Sequence, residues 1–203
     1  MAGSSRFALL ALLALVLAGC GGSAVAGPEH PEQTAKTFRG SELDPPMKTT
    51  DFRLRDQDGK PVSLAVQRGR LAIVTFLYTH CVDVCPLIAE HLNLALRQLK
   101  PAERAKVRVL AISVDPKGDT PKAVRQFVYS HRLLPEFRYL TGTRKQLAPV
   151  WHAFHIAVSA NPETVDHSAY EVLVDQQGAG RVIYDAQVRP AQVVHDVRVL
   201  LRS

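Results

Sequence analysis

Two nearly unbroken apolar runs constrain this chain most, Leu71-Ala72-Ile73-Val74-Thr75-Phe76-Leu77-Tyr78 and Val107-Arg108-Val109-Leu110-Ala111-Ile112-Ser113-Val114. Each reads as a strand buried on both faces, which requires a sheet covered by helices. Between them Ile88, Leu92, Ala95, Leu96 and Leu99 recur at helical spacing. Strand, helix and strand at this distance form a parallel crossover unit. The first junction of that unit reads Thr79-His80-Cys81-Val82-Asp83-Val84-Cys85-Pro86. In open α/β sheets, sites form at the carboxyl ends of strands. Cysteines four apart where a helix begins are expected on one face of its first turn, and the partial positive charge there favours thiolate. Pro86 is tolerated in a first turn, where its missing N–H costs nothing. Such a pair can close a disulfide or hold a soft metal ion.

The flanking segments complete the pattern. Asp51 to Arg55 alternates, Asp58-Gly59 offers a hairpin turn, and Val62 to Leu64 returns as a second short strand. After Val114, Asp119 or Thr120 can cap a helix that opens at Pro121 and runs to about His131. Phe137 to Leu140 is a short strand. Thr143 caps a helix with the stripe Leu147, Val150, Trp151 and Phe154. Ile156 to Val158 is extended, a polar loop follows from Ser159 to Ser168, and Tyr170 to Val174 is another buried strand. Arg181 to Asp185 pairs back, and Pro190 opens a last helix with Val193, Val194, Val197, Leu200 and Leu201 inward. The order predicts an α/β, thioredoxin-like sandwich: a central mixed β-sheet flanked by helices, with an N-terminal β-hairpin and an insertion before the final hairpin.

The start of the chain reads as an address. Arg6 precedes an apolar stretch, Phe7 to Ala18, too short to span a bilayer. The ending Leu17-Ala18-Gly19-Cys20 resembles the lipobox of bacterial lipoproteins, which implies lipid on Cys20 and removal of residues 1–19. Residues 20–47 read as a lipidated cysteine and flexible tether, and 48–203 as one domain. The expected protein is an exported, membrane-anchored lipoprotein facing the periplasm or cell exterior. Three cysteines is an odd number. With Cys20 lipidated, only Cys81 and Cys85 remain, too few for a structural framework. The net charge of +6 is spread out, without a basic run interleaved with aromatics, so nucleic acid is a poor partner.

The third candidate is His167, in Val165-Asp166-His167-Ser168-Ala169-Tyr170, whose loop should approach the same sheet end as the cysteines. Two sulfurs and one imidazole suit Cu(I), Cu(II) or zinc; a structural zinc site wants a fourth ligand, and none is obvious.

Three blocks give this pattern a family likeness: Thr79 to Pro86, Ser113-Val114-Asp115-Pro116 with Asp119-Thr120-Pro121, and Val165 to Ser168. Together they resemble the Sco/SenC copper chaperones of cytochrome c oxidase assembly, from about Thr50 to Leu201. The resemblance implies copper ligation by Cys81, Cys85 and His167. It also implies delivery to the CuA-bearing subunit of cytochrome c oxidase, with a copper donor protein and a thiol reductant as further partners. Val82 departs from the family, which usually has proline there.

The rival reading is a thiol–disulfide oxidoreductase using Cys81 and Cys85 as a redox pair, reducing the CuA cysteines or other exported proteins. A plain disulfide so short removes little chain entropy. His80 should point away from Cys81, His91 reads as helix surface, and His155, beside the Trp151 stripe, reads as core packing. Asp119 is explained by capping.

Overall fold

The computed structural model describes residues 37–160 and 165–203. Ser41–Lys48 is β1, Arg53–Arg55 β2, Pro61–Ser63 β3 and Leu71–Leu77 β4. Helix α1 spans Val84–Gln98 and the short α2 spans Pro101–Arg104. Then come β5 (Val107–Ser113), α3 (Pro121–Ser130), β6 (Phe137–Leu140) and α4 (Arg144–Ala153). The chain closes with β7 (Val158–Ala160), β8 (Val165–His167), β9 (Tyr170–Val174), β10 (Ala179–Asp185) and α5 (Pro190–Leu200).

Six strands form the main sheet in the order β1-β10-β9-β4-β5-β6. β4, β5 and β6 run parallel, with Leu71 opposite Val107 and Leu77 opposite Ser113. β9 joins β4 antiparallel, and β10 and β1 continue in that sense. The expected thioredoxin-like sandwich is therefore the fold. Every residue of β4 is buried, because alternate side chains enter different layers. Leu71, Ile73 and Leu77 pack against the layer built from α1, α3 and α5. Ala72, Val74 and Phe76 pack against Leu147, Val150, Trp151 and Phe154 of the α4 side.

Four local expectations need correction. The tether was expected to reach Met47, but Ser41–Lys48 is an edge strand paired with β10. Its side chains are mostly exposed and Pro45-Pro46 fall in an irregular stretch of the pairing, so no periodicity marks it. Phe38 is buried just before it, and a side chain at Gly40 would collide with Val182 and Tyr184. The polar loop expected at 159–168 instead contains the strands β7 and β8, with Val158 opposite His167. His91 is not free surface: its Nδ1 lies 2.8 Å from the Val188 carbonyl oxygen, tying α1 to the approach to α5. His155 is not core but exposed, in a left-handed conformation (φ 54°) just after α4. The lipobox, Cys20 and the earlier part of the tether lie outside the described residues.

Candidate functional site

The site begins where β4 runs out. Leu77 ends the strand and α1 opens at Val84, leaving Tyr78 to Asp83 as the connecting loop. Cys81 therefore precedes the helix rather than sharing its first turn, while Cys85 lies inside it. The Cys85 N–H donates to the Cys81 sulfur at 3.4 Å, so Cys81 Sγ takes up one of the helix's free N-terminal donors. The Cys81 N–H donates to the Tyr78 carbonyl at 3.3 Å and closes the loop. The thiols are unjoined, at 7% exposure for Cys81 and 0% for Cys85.

The two sulfurs are not equivalent. Burial works against a Cys81 thiolate, but hydrogen bonds from the Cys85 thiol, backbone N–H groups and the Tyr78 hydroxyl outweigh it and bring its pKa below the usual thiol value. Burial, then the Cys81 sulfur itself, pushes the Cys85 thiol far above that value. Cys81 thus gives up its proton more easily than Cys85, which keeps its own until a cation or an oxidant removes it.

His167 closes β8. Its Nδ1 lies 2.9 Å from the Ser168 carbonyl oxygen. A carbonyl only accepts, so Nδ1 carries the hydrogen and Nε2 keeps its lone pair. Burial holds the imidazole below its ordinary pKa, with the Ser168 contact opposing, which favours the neutral ring that a metal needs. The ring stands edge-on to Tyr78, centroids 6.0 Å apart at 82°. Tyr78 thus touches both the histidine, through its ring, and Cys81, through its hydroxyl. Among the described residues no group of three His, Cys, Asp or Glu side chains lies close enough to hold a metal ion.

Beneath the loop is a carboxylate whose role capping does not describe. Thr120 alone caps α3, accepting from the Ala123 N–H at 3.2 Å. Asp119, only 4% exposed, accepts from the Thr79 N–H (2.7 Å), the Ser113 hydroxyl (2.6 Å) and the Tyr139 hydroxyl (3.1 Å). It pins the start of the cysteine loop to the ends of β5 and β6. His80 is exposed, with its Nδ1 3.4 Å from Thr79 Oγ1. A side chain at Gly118 would collide with Asp115 and crowd His80.

Sequence reasoning overlooked Tyr78 and the bracing role of Asp119. The signal for Tyr78 was a polar tip on an otherwise apolar strand, adjoining the cysteine loop. Asp119 had a weaker one, an acid preceding a residue already able to cap.

A mixed six-stranded sheet with a dithiol at the end of its central strand defines a thioredoxin-like protein. The family model described as SCO1/SenC matches residues 41–202, and the chain belongs to that family. It is 32% identical over 197 residues to the mitochondrial SCO2 homolog of Bos taurus, covering 93% of this chain and 73% of the relative. Bradyrhizobium japonicum ScoI, solved with copper bound, is 28% identical with a TM-score of 0.69, covering 75% of this chain and 99% of that one. BsSco, a member of the Sco family of cytochrome c oxidase assembly proteins in which a disulfide switch was identified, is also 28% identical. Its TM-score is 0.65, with 75% of this chain and 92% of that one covered.

Proposed function

We propose that this domain binds one copper ion through Cys81, Cys85 and His167 and hands it to the CuA site of a cytochrome c oxidase subunit during assembly. The observation that carries the reading is the unprotonated Nε2 of His167, on a ring that touches Tyr78, the same tyrosine that hydrogen-bonds Cys81 in a loop leading to two unjoined thiols. Sulfur and imidazole together suit both Cu(I) and Cu(II). Copper is cargo here, and the ligands must draw together around it. A ligand set assembled by its ion can also release it, as transfer requires. The copper-bound ScoI relative supports the choice of metal.

In this reading Cys81 engages first as thiolate and Cys85 follows on losing its proton to solvent. A donor protein supplies the ion, and a thiol reductant returns the pair to the dithiol form. Lipid on Cys20 keeps the domain at the membrane, on the exported side where the oxidase subunit presents its copper site.

The reduced protein titrated with Cu(II) should develop a sulfur-to-copper absorption band that saturates at one ion. His167→Ala should shift or abolish that band, and Cys81→Ser should remove it. A band unchanged in His167→Ala would defeat the ligand assignment. Negligible copper binding by a protein that rapidly reduces insulin disulfides would replace the reading with a thiol reductase.

A further inference from the structure

Helix α3 starts beside the cysteine loop and, as the crossover between parallel β5 and β6, runs back towards the other end of the sheet. There its last turn faces the β2–β3 turn across a groove of about 490 Å³. Val128 and Leu133 contribute apolar surface, and Arg125, Arg132, Tyr129 and Asp58 are the other main lining groups. Tyr129 is 83% exposed, an unusual position for a ring without a partner. Asp58 has a partner already in Arg138, at 3.7 Å. Among the described residues neither the Arg125 nor the Arg132 guanidinium has a hydrogen-bonded or ionic partner.

Arg132 is the informative residue. It follows the C-cap of α3 in the left-handed conformation, φ 49°, at the position where helices usually place glycine. A side chain there is strained. The strain is held in place from α1: the Arg132 carbonyl accepts from Asn93 Nδ2 (3.2 Å) and Arg97 Nη2 (2.7 Å). The other end of the same Asn93 amide accepts from the Leu134 N–H at 2.9 Å. A buried asparagine thus clamps the turn carrying Arg132 and Leu133. Strained residues over-determined by their surroundings cluster at ligand clamps.

We infer that this groove is a docking site for an acidic peptide segment of a partner protein, one that alternates carboxylates with aliphatic or aromatic side chains. The carboxylates pair with Arg125 and Arg132, and the apolar side chains lie on Val128, Leu133 and the Tyr129 ring. Two guanidiniums over a concave apolar floor, with an acid on the rim, fit such a segment better than a flat anionic membrane, which needs a broader basic face. The site is separate from the cysteines, so a partner held here leaves the metal loop free.

The test measures fluorescence anisotropy with the full-length chain and a dye-labelled peptide alternating glutamate and leucine. Lysine-for-glutamate peptide, inorganic phosphate and vesicles containing phosphatidylglycerol serve as comparisons. The glutamate peptide should bind, the lysine peptide at least about tenfold more weakly, and phosphate and vesicles should compete poorly. Arg125→Glu and Arg132→Gly should each weaken binding about tenfold or more. Arg132→Gly also relieves the left-handed strain, so it should melt no lower than the parent, and about 2–4 °C higher if the full strain is released. If Arg125→Glu fails to fold, Arg132→Gly decides alone. Unchanged peptide binding by Arg132→Gly, a lower melting temperature for it, or equal competition by phosphate or vesicles would overturn the inference.

Discussion

At the scale of single residues, the chemistry rests on side chains held by neighbours that do none of it. His167 keeps the lone pair on Nε2 because the Ser168 carbonyl engages the other nitrogen. The Cys81 thiol is held below its ordinary pKa because the Cys85 thiol, backbone N–H groups and the Tyr78 hydroxyl donate to it. Asp119 is the deepest of these supports. All three partners donate to it as arranged here, and the Thr79 N–H can do nothing else, whereas the Ser113 and Tyr139 hydroxyls could also accept. Asp119→Ala should cost about 3 kcal/mol or more in urea unfolding, because buried donors lose their acceptor. Asp119→Asn should recover part of that loss, because its amide oxygen can still accept from the Thr79 N–H while the two hydroxyls turn to accept from its NH2, but the charge on the acceptor is gone. Equal stability of either variant with the parent would show that the brace contributes nothing. Val82, by contrast, stands 96% exposed between the two sulfurs, so its departure from the family's proline leaves the core untouched.

At the scale of elements, β9 carries a polar group that its position does not explain. Glu171 is fully buried, and one carboxyl oxygen has only Thr75 Oγ1 for a partner, at 3.3 Å, while the other has none. Burial pushes its pKa from an ordinary 4.5 up to about 8, with the Thr75 contact opposing. Between those values the folded chain holds a proton that the unfolded chain has released. Stability contributed by this group should therefore fall as pH rises from about 4.5 to about 8 and level off above. Across the window the loss is of the order of 2–5 kcal/mol. Glu171→Gln, followed by denaturant melts across this range, should remove that slope while leaving other titrations in place. A slope identical in parent and variant would mean that Glu171 is ionised in the fold. The sheet otherwise follows its pattern: β4 and β5 run parallel in full register because their apolar runs match in length.

At the scale of the whole molecule, the domain is closed by its own N-terminal segment. The Arg39 and Gly40 N–H groups donate to the buried Asp196 carboxylate at 2.7 and 2.9 Å, and the Tyr184 hydroxyl reaches the same group at 2.9 Å. Phe38 enters the core beside α5, and β1 covers the edge of β10. A chain shortened to begin at Thr49 should lose all three features. It should be less stable by about 3 kcal/mol or more, from the buried ring and the carboxylate left short of donors, when compared with one beginning at Lys36. With the β10 edge uncovered it should also self-associate, visible in sedimentation as species larger than monomer. A monomeric shortened chain of undiminished stability would return the tether boundary to Met47.

The parallel crossover, the helices around it and the placement of the cysteine pair at a strand end could all be read from the order of residues. Those features follow from local periodicity and from residues adjacent along the chain. That order also identified His167, through a short block, as a residue to watch. What depends on distant partners emerged from the folded chain alone. β1 became visible through β10, the hairpin at His167 through the pairing of Val158, and the work of Asp119 through donors on three separate elements. An edge strand carries no buried face to leave a pattern, and a hydrogen bond between segments leaves no trace in the spacing of either. For the same reason the contact of Tyr78 with His167, 89 positions further along the chain, came to light only in the folded molecule, although its polar tip on an apolar strand was visible beforehand.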